Sequence, residues 1–162
     1  MMMKIKHLLL LVAMAGCLTS CLKSDPAPQF DFEGQFRTDT TAIRSFIITN
    51  NIPAVKDNTY GFFYQILNPG SGDVAYTQSS VVTVNYTGKL LNGITFDTTN
   101  GTPIDIGLTN VIAGWQMGIP LIQKGGKIRL FIPSLYGYQN QVRQNIPANS
   151  VLDFTVDLID IK

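Results

Sequence analysis

Residues 111–119 read Val111-Ile112-Ala113-Gly114-Trp115-Gln116-Met117-Gly118-Ile119, followed by Pro120, and they hold the one tryptophan of the chain. Ile112, Trp115 and Ile119 recur at i, i+3 and i+7, one face of a 3.6-residue period. Gly114 and Gly118 fall on another face, where the lack of side chains lets a second surface come close. Pro120 has no N–H and a fixed φ, so a helix over this stretch ends near it. From about Thr59 onward everything else reads as strands and turns. A lone short helix among strands must bury its apolar face against a sheet. Burying a tryptophan removes roughly 150–250 Å² from water, about 4–6 kcal/mol gross at about 25 cal/mol per Å². The helix is therefore expected to plug a curved sheet.

The strands lie on both sides of it. Along residues 80–88, Val82, Val84 and Tyr86 point one way and Thr83, Asn85 and Thr87 the other. Asn92-Gly93 is a hairpin signal leading into residues 94–97. Residues 127–132 alternate Ile128, Leu130, Ile132 against Lys127, Arg129, Phe131; residues 151–161 alternate Leu152, Phe154, Val156, Leu158 against Asp153, Thr155, Asp157. If these two strands pair, outward acids face outward bases. Residues 59–67 are rich in aromatics (Tyr60, Phe62, Phe63, Tyr64) and read as a strand ended by Asn68-Pro69-Gly70. The pattern implies an α+β fold, an antiparallel sheet with one apolar face. Upstream, a helix is expected from Thr38, with Thr38 or Asp39 as cap, Ile43, Phe46 and Ile47 as its stripe, and Asn50-Asn51 with Pro53 as its stop. It packs either on the domain or on a second copy. There is no internal repeat and no phosphate-binding or dinucleotide glycine pattern.

The chain of 162 residues fits one domain plus extras, and a net charge of +1 gives no nucleic-acid footprint. Lys4 and Lys6 followed by apolar residues 8–15 read as a secretory leader over residues 1–20. That run is shorter than the about 20 residues a bilayer span requires. Both cysteines close this segment. Leu18-Thr19-Ser20-Cys21 resembles the bacterial lipobox, with Cys21 as the lipidated residue, while Met14-Ala15-Gly16-Cys17 is a poorer second candidate. The bland alternative is a Cys17–Cys21 disulfide or two unremarkable cysteines. An acyl anchor at Cys21 would tether the chain to a membrane without spanning it. Cleavage there removes His7, the one histidine, and leaves no free thiol. A chain so processed cannot run Ser-His-Asp or Cys-His chemistry, nor build the usual His/Cys zinc site. No metal and no cofactor is expected. Residues 21–37 form a tether, stiffened by Asp25-Pro26-Ala27-Pro28. Residues 38–58 form a helical extension and residues 59–162 the main domain.

Three stretches carry a family resemblance. Val84-Asn85-Tyr86-Thr87-Gly88 with Phe96-Asp97 is the first, and Val111-Ile112-Ala113-Gly114-Trp115 through Gly118 the second. The third is residues 132–138 followed by Ile146-Pro147 and Leu152-Asp153-Phe154. In this order and spacing they resemble the FKBP-type peptidyl-prolyl isomerases over residues 59–162. The resemblance implies an FKBP-like twisted antiparallel sheet wrapped around the short helix, with a proline-accepting pocket between them. By position, Trp115 would be the pocket floor, with Tyr86, Phe96, Val111 and Phe154 as walls and Ile146 at the rim. Asp97, Tyr138 and the backbone N–H of Ile112 would act on the bound peptide.

Such chemistry suits a chain without nucleophile or metal. Rotation about an X–Pro bond breaks no covalent bond, and its barrier is ~18–20 kcal/mol. An aromatic pocket disfavours the charge-separated planar amide and so favours the twisted one. The partners implied are proline-containing polypeptides in the bacterial cell envelope, reached from a membrane by the lipid anchor. The chain departs from the pattern of the family it resembles at Thr102, where an aromatic wall residue is common, and at Gln139, where glycine usually follows the rim tyrosine. These departures keep a rival reading open: a catalytically weak FKBP-like binding or chaperone module that uses residues 59–64 and the amphipathic helix.

Overall fold

The computed structural model describes residues 30–162, and its first element is a helix capped by Asp31, whose carboxylate accepts the Gly34 N–H at 2.8 Å. This helix, α1, spans Phe32–Thr49, so it starts at Phe32 rather than at Thr38. The reason is local. Thr38 and Thr41 already sit within the helix, donating their hydroxyls to the carbonyls of Gly34 and Arg37 at 3.0 and 2.8 Å. Asp39 caps nothing on its own helix; it is buried and makes a tertiary contact described below. The end falls where the asparagines stand: the Asn50 N–H bonds to Phe46 O, and Asn51 takes a φ of 50°.

Seven strands follow: β1 (Val55–Lys56), β2 (Phe63–Asn68), β3 (Val81–Leu90), β4 (Thr95–Thr98), β5 (Ile104–Gly107), β6 (Lys127–Ile132) and β7 (Leu152–Ile161). All pair antiparallel in the order β1-β2-β6-β7-β3-β4, with β5 also on β3. β2 begins at Phe63 rather than near Thr59. The Asp57 carboxylate accepts the N–H groups of Thr59 and Tyr60 at 2.9 and 2.6 Å, which turns the chain there.

β6 and β7 are neighbours, and their charges meet. Lys127 lies 3.0 Å from Asp157, and Arg129 donates to both oxygens of Asp153 at 2.8 and 2.7 Å. The register sets Arg129 opposite Thr155 and Phe131 opposite Asp153, so that second pair is diagonal. The inner face is dry: Val82, Val84, Ile128, Leu130, Val156 and Leu158 are all fully buried. The expectation of a single apolar face is too simple. Phe131, read with the outward set, is also fully buried, because Ile43 and Ile47 of α1 cover that corner with Phe63 and Val151. This settles what α1 packs on: the sheet of its own chain.

Against the inner face sits α2 (Ala113–Gly118), continued by a 3₁₀ turn, Ile119–Leu121, that contains Pro120. Its approach to the sheet depends on glycine. A Cβ on Gly118 would stand 2.5 Å from Leu130 of β6, and one on Gly114 would collide with Ile132. Ile112 is the residue that caps α2, just outside it. Among the described residues no helix is long and apolar enough to cross a membrane. Cys21, the leader and most of the tether lie outside those residues.

Candidate active site

The close seat of α2 on β6 presents Trp115 to the concave side of the sheet, where it is 3% exposed. Two rings meet it edge to face: Tyr86 of β3 at 5.0 Å between centroids and Phe154 of β7 at 5.2 Å. Phe96 of β4 closes on Phe154 at 5.3 Å, also edge to face. Such geometry sets ring edges against ring faces, as the aromatic quadrupole prefers. Gly88 makes it possible, since a Cβ there would stand 2.6 Å from Phe154 and 2.7 Å from Phe96.

A cavity of about 200 Å³ opens against three of these rings. Trp115, Tyr86 and Phe154 form its aromatic part, and Val111 and Ile112 line it from the segment entering α2. Asp97 and Tyr138 supply polar groups. The Tyr86 hydroxyl donates to Asp97 Oδ2 at 2.7 Å. Burial, and then that hydrogen bond, pushes the Tyr86 pKa well above the ordinary tyrosine value, so its proton stays in place. The end of β4 is pinned beneath this pair. Thr98 Oγ1 donates to Tyr86 O at 3.1 Å, and Thr99 Oγ1 accepts the Tyr86 N–H at 3.1 Å.

Two donors that line the cavity are unspent: among the described residues neither the Ile112 N–H nor the Tyr138 hydroxyl has an acceptor. The Trp115 indole N–H is buried and likewise lacks one, at a cost of about 1–3 kcal/mol for a desolvated donor. Tyr138 follows a 3₁₀ turn, Ser134–Tyr136, held from outside the sheet. Asp39 of α1 accepts both the Ser134 N–H, at 2.7 Å, and its hydroxyl, at 2.6 Å.

The structure thus brings Tyr86, Asp97, Val111, Ile112, Trp115, Tyr138 and Phe154 around one cavity. Phe96 and Ile146 are placed differently, in an adjoining hollow that shares the Asp97 and Tyr138 walls. Two lining residues escaped the sequence reading, Ile106 and Asn110. The alternation Ile104-Asp105-Ile106 could have pointed to the first. Asn110 ends a 3₁₀ turn with no periodic signal to mark it. Thr102 does not line the cavity. Among the described residues no three metal-ligating side chains gather.

Comparison with known proteins agrees with this geometry. Residues 72–159 match the profile of the FKBP-type peptidyl-prolyl cis-trans isomerase domain. The chain is 42% identical over 115 residues to the FKBP-type peptidyl-prolyl cis-trans isomerase FkpA of Buchnera aphidicola (from Schizaphis graminum), covering 70% of this chain and 46% of that one. It is 43% identical over 110 residues to FkpA of Escherichia coli K12, covering 67% and 40%. The chain therefore spans less than half the length of either relative. In three dimensions it superposes on the crystal structure of E. coli FkpA with a TM-score of 0.68 at 36% identity, covering 80% of this chain and 60% of that one. A peptidyl-prolyl cis-trans isomerase from Pseudomonas syringae gives 0.66 at 28% identity, with 84% and 99% covered. The matched profile covers more than half of the chain, and with relatives at this identity the chain belongs to the family of FKBP-type peptidyl-prolyl cis-trans isomerases.

Proposed function

We propose that the protein catalyses cis–trans rotation of X–Pro bonds in polypeptides of a bacterial cell envelope, held to a membrane by a lipid on Cys21. One observation carries the catalytic part. A cavity walled by edge-to-face aromatics is lined by two hydrogen-bond donors, the Ile112 N–H and the Tyr138 hydroxyl, that nothing among the described residues satisfies. A planar amide is stabilised by charge separation that water solvates. In a pocket walled by aromatic rings part of that solvation is lost, and the twisted, less polar amide gains relative to the planar one. The Ile112 N–H holds a substrate carbonyl and the Tyr138 hydroxyl a second acceptor, so the rotating bond stays over Trp115. Asp97, oriented by Tyr86, stands beside that bond. Phe96 and Ile146 bound the exit from the pocket. Lowering the ~18–20 kcal/mol barrier by about 4 kcal/mol gives roughly a thousandfold acceleration. Family membership supports this reading.

The envelope part rests on the leader, the lipobox-like Leu18-Thr19-Ser20-Cys21 and the tether, which ends at the Asp31 cap of α1. The anchored domain would face either the periplasm or the cell surface. Cys21→Ala should leave the precursor unlipidated; lipid that persists would move the anchor to Cys17.

The test of catalysis uses the soluble form beginning near Ser24 and an X-Pro tetrapeptide. Isomerisation should accelerate roughly a thousandfold, and Asp97→Leu should remove at least nine-tenths of that while thermal unfolding stays cooperative. Well-folded protein that gives no acceleration would make the domain a binding module instead. The departures at Thr102 and Gln139 are what keep that second reading open.

A further inference from the structure

Beyond Ile146 the surface opens into a third hollow, of about 580 Å³, between the Asn92-Gly93 hairpin and the loop that follows Tyr138. Leu90, Ile94, Val142, Ile146 and Pro147 give it an apolar floor. Val142 is 72% exposed and Ile94 55%, and they line one hollow together rather than standing singly on the surface. Its shape is built in. The loop is closed by reciprocal backbone bonds between Arg143 and Ile146, at 2.9 and 3.0 Å, and by Asn149 N–H to Gln139 O at 2.8 Å.

Two features say what fits there. The first is continuity. The pocket over Trp115 shares Asp97 and Tyr138 with the adjoining hollow, and that hollow shares Arg143, Asn145 and Ile146 with the third. The three form one cleft along the Tyr138–Ile146 wall. The second is charge. Arg143 lies over the Tyr138 ring, 5.8 Å from its centroid. Among the described residues no carboxylate pairs with it, whereas Arg129, Lys124, Lys127 and Lys162 each hold one. No acidic residue lines the third hollow; Asp97 belongs to the other two.

We propose that this third hollow is a specificity subsite for the same polypeptide whose proline occupies the Trp115 pocket, taking an apolar side chain with a carboxylate next to it. The inference rests on the isomerase reading of that pocket. A chain bound over Trp115 must leave the pocket, and the cleft offers it a path past Ile146. The intervening hollow, about 370 Å³, separates the two, so a side chain in the subsite belongs to a residue beyond the proline's immediate neighbour. A tetrapeptide with proline third has two residues on one side and one on the other, so longer peptides are needed to fill the subsite in both directions. Apolar burial on Ile94 and Val142 supplies attraction, and the unpaired Arg143 selects an acidic neighbour.

The experiment compares isomerisation of an X-Pro tetrapeptide with longer peptides that carry a Leu-Glu pair at successive positions on either side of the proline. One placement should raise kcat/KM about tenfold over the tetrapeptide. Val142→Asp should abolish that gain and leave the tetrapeptide rate unchanged. Arg143→Glu should move the preference from Leu-Glu to Leu-Lys. Long and short peptides turned over alike, or a gain that survives both substitutions, would overturn the subsite. So would a Val142→Asp variant that changes sedimentation with no effect on long peptides, which would assign the face to a second copy. A different pattern isolates failure of the isomerase reading: no peptide is accelerated, yet the Leu-Glu peptide binds, by titration calorimetry, with an affinity sensitive to Val142 and Arg143. In that case the subsite stands on a binding module.

Discussion

Gln139 occupies a backbone conformation that its side chain disfavours. Its φ is 55°, in the left-handed region, directly after Tyr138. An L-residue with a Cβ loses roughly 1–2 kcal/mol there, while glycine pays only the extra freedom of its unfolded chain, about 0.5–1 kcal/mol. A glycine at that point would relieve this cost, so the residue's own conformation is a measurable strain. Gln139→Gly should stabilise the domain by about 0.5–1 kcal/mol, read as a higher urea midpoint at unchanged slope. The Gln139 N–H still reaches Ser134 O at 2.8 Å, a bond the substitution retains. A lower midpoint would mean that the glutamine side chain contributes more than its backbone costs. Legibility differs within this same loop. In the sequence, Tyr138 is placed at the pocket only through the family resemblance; the left-handed turn after it is not legible from the residue itself, because glutamine carries no such preference.

At the scale of elements, α1 is linked by hydrogen bonds to the turn that precedes Tyr138. The helix lies outside the matched family profile. Even so, its Asp39 spans to Ser134 with two short bonds and takes a third from Gln35 at 2.7 Å. Asp39→Ala would leave the buried Ser134 N–H and hydroxyl without an acceptor, a loss of about 3 kcal/mol for two desolvated donors. It would also free the 3₁₀ turn that leads to Tyr138. Isomerisation should fall with stability, and a double-mutant cycle separates the two effects. In a Tyr138→Phe background, Asp39→Ala should still lower the denaturation midpoint but add little further loss of rate. An equal further loss of rate would show that α1 does not act through Tyr138. The strands were legible because period-two alternation survives in β3, β6 and β7, and α2 because glycines and a tryptophan share six residues. What escaped was tertiary. The two caps expected from the sequence, Thr38 and Asp39, both lie inside the helix that Asp31 caps, and only the fold shows Asp39 turned to another element. Phe131 likewise reads as an outward residue until α1 is seen to cover it.

Across the whole molecule, the last strand is secured by charge at its solvent side. Lys162 meets Asp105 at 2.5 Å, Lys124 meets Asp160 at 2.8 Å, and Thr83 donates to Asp105 at 2.5 Å. The hydrogen bond from Lys162, with that from Thr83, holds the Asp105 carboxyl below the usual range, and the bond from Lys124 does the same for Asp160. A carboxyl whose pKa is lower folded than unfolded adds stability above its unfolded value, about 3.9, and loses it as pH falls through the folded value. On the alkaline side, burial raises Tyr76 to about 12 and carries Tyr86 higher still. Their stabilising contribution is full below the ordinary tyrosine value of about 10 and is lost as pH rises past it. No histidine stands among the described residues to titrate between these limits. Thermal unfolding should therefore show a plateau from about pH 5 to about pH 9, with losses below about pH 4 and above about pH 10. Isomerisation should stay flat from neutrality to the alkaline edge, because the Tyr86 proton that orients Asp97 is retained. Asp105→Asn together with Asp160→Asn should flatten the acid limb, and about 1 M salt should soften it in the parent chain, since both pairs are exposed and screened. An acid limb unmoved by both substitutions would transfer the sensitivity to other carboxylates, and β7 would then be held by its apolar face and its ladder alone.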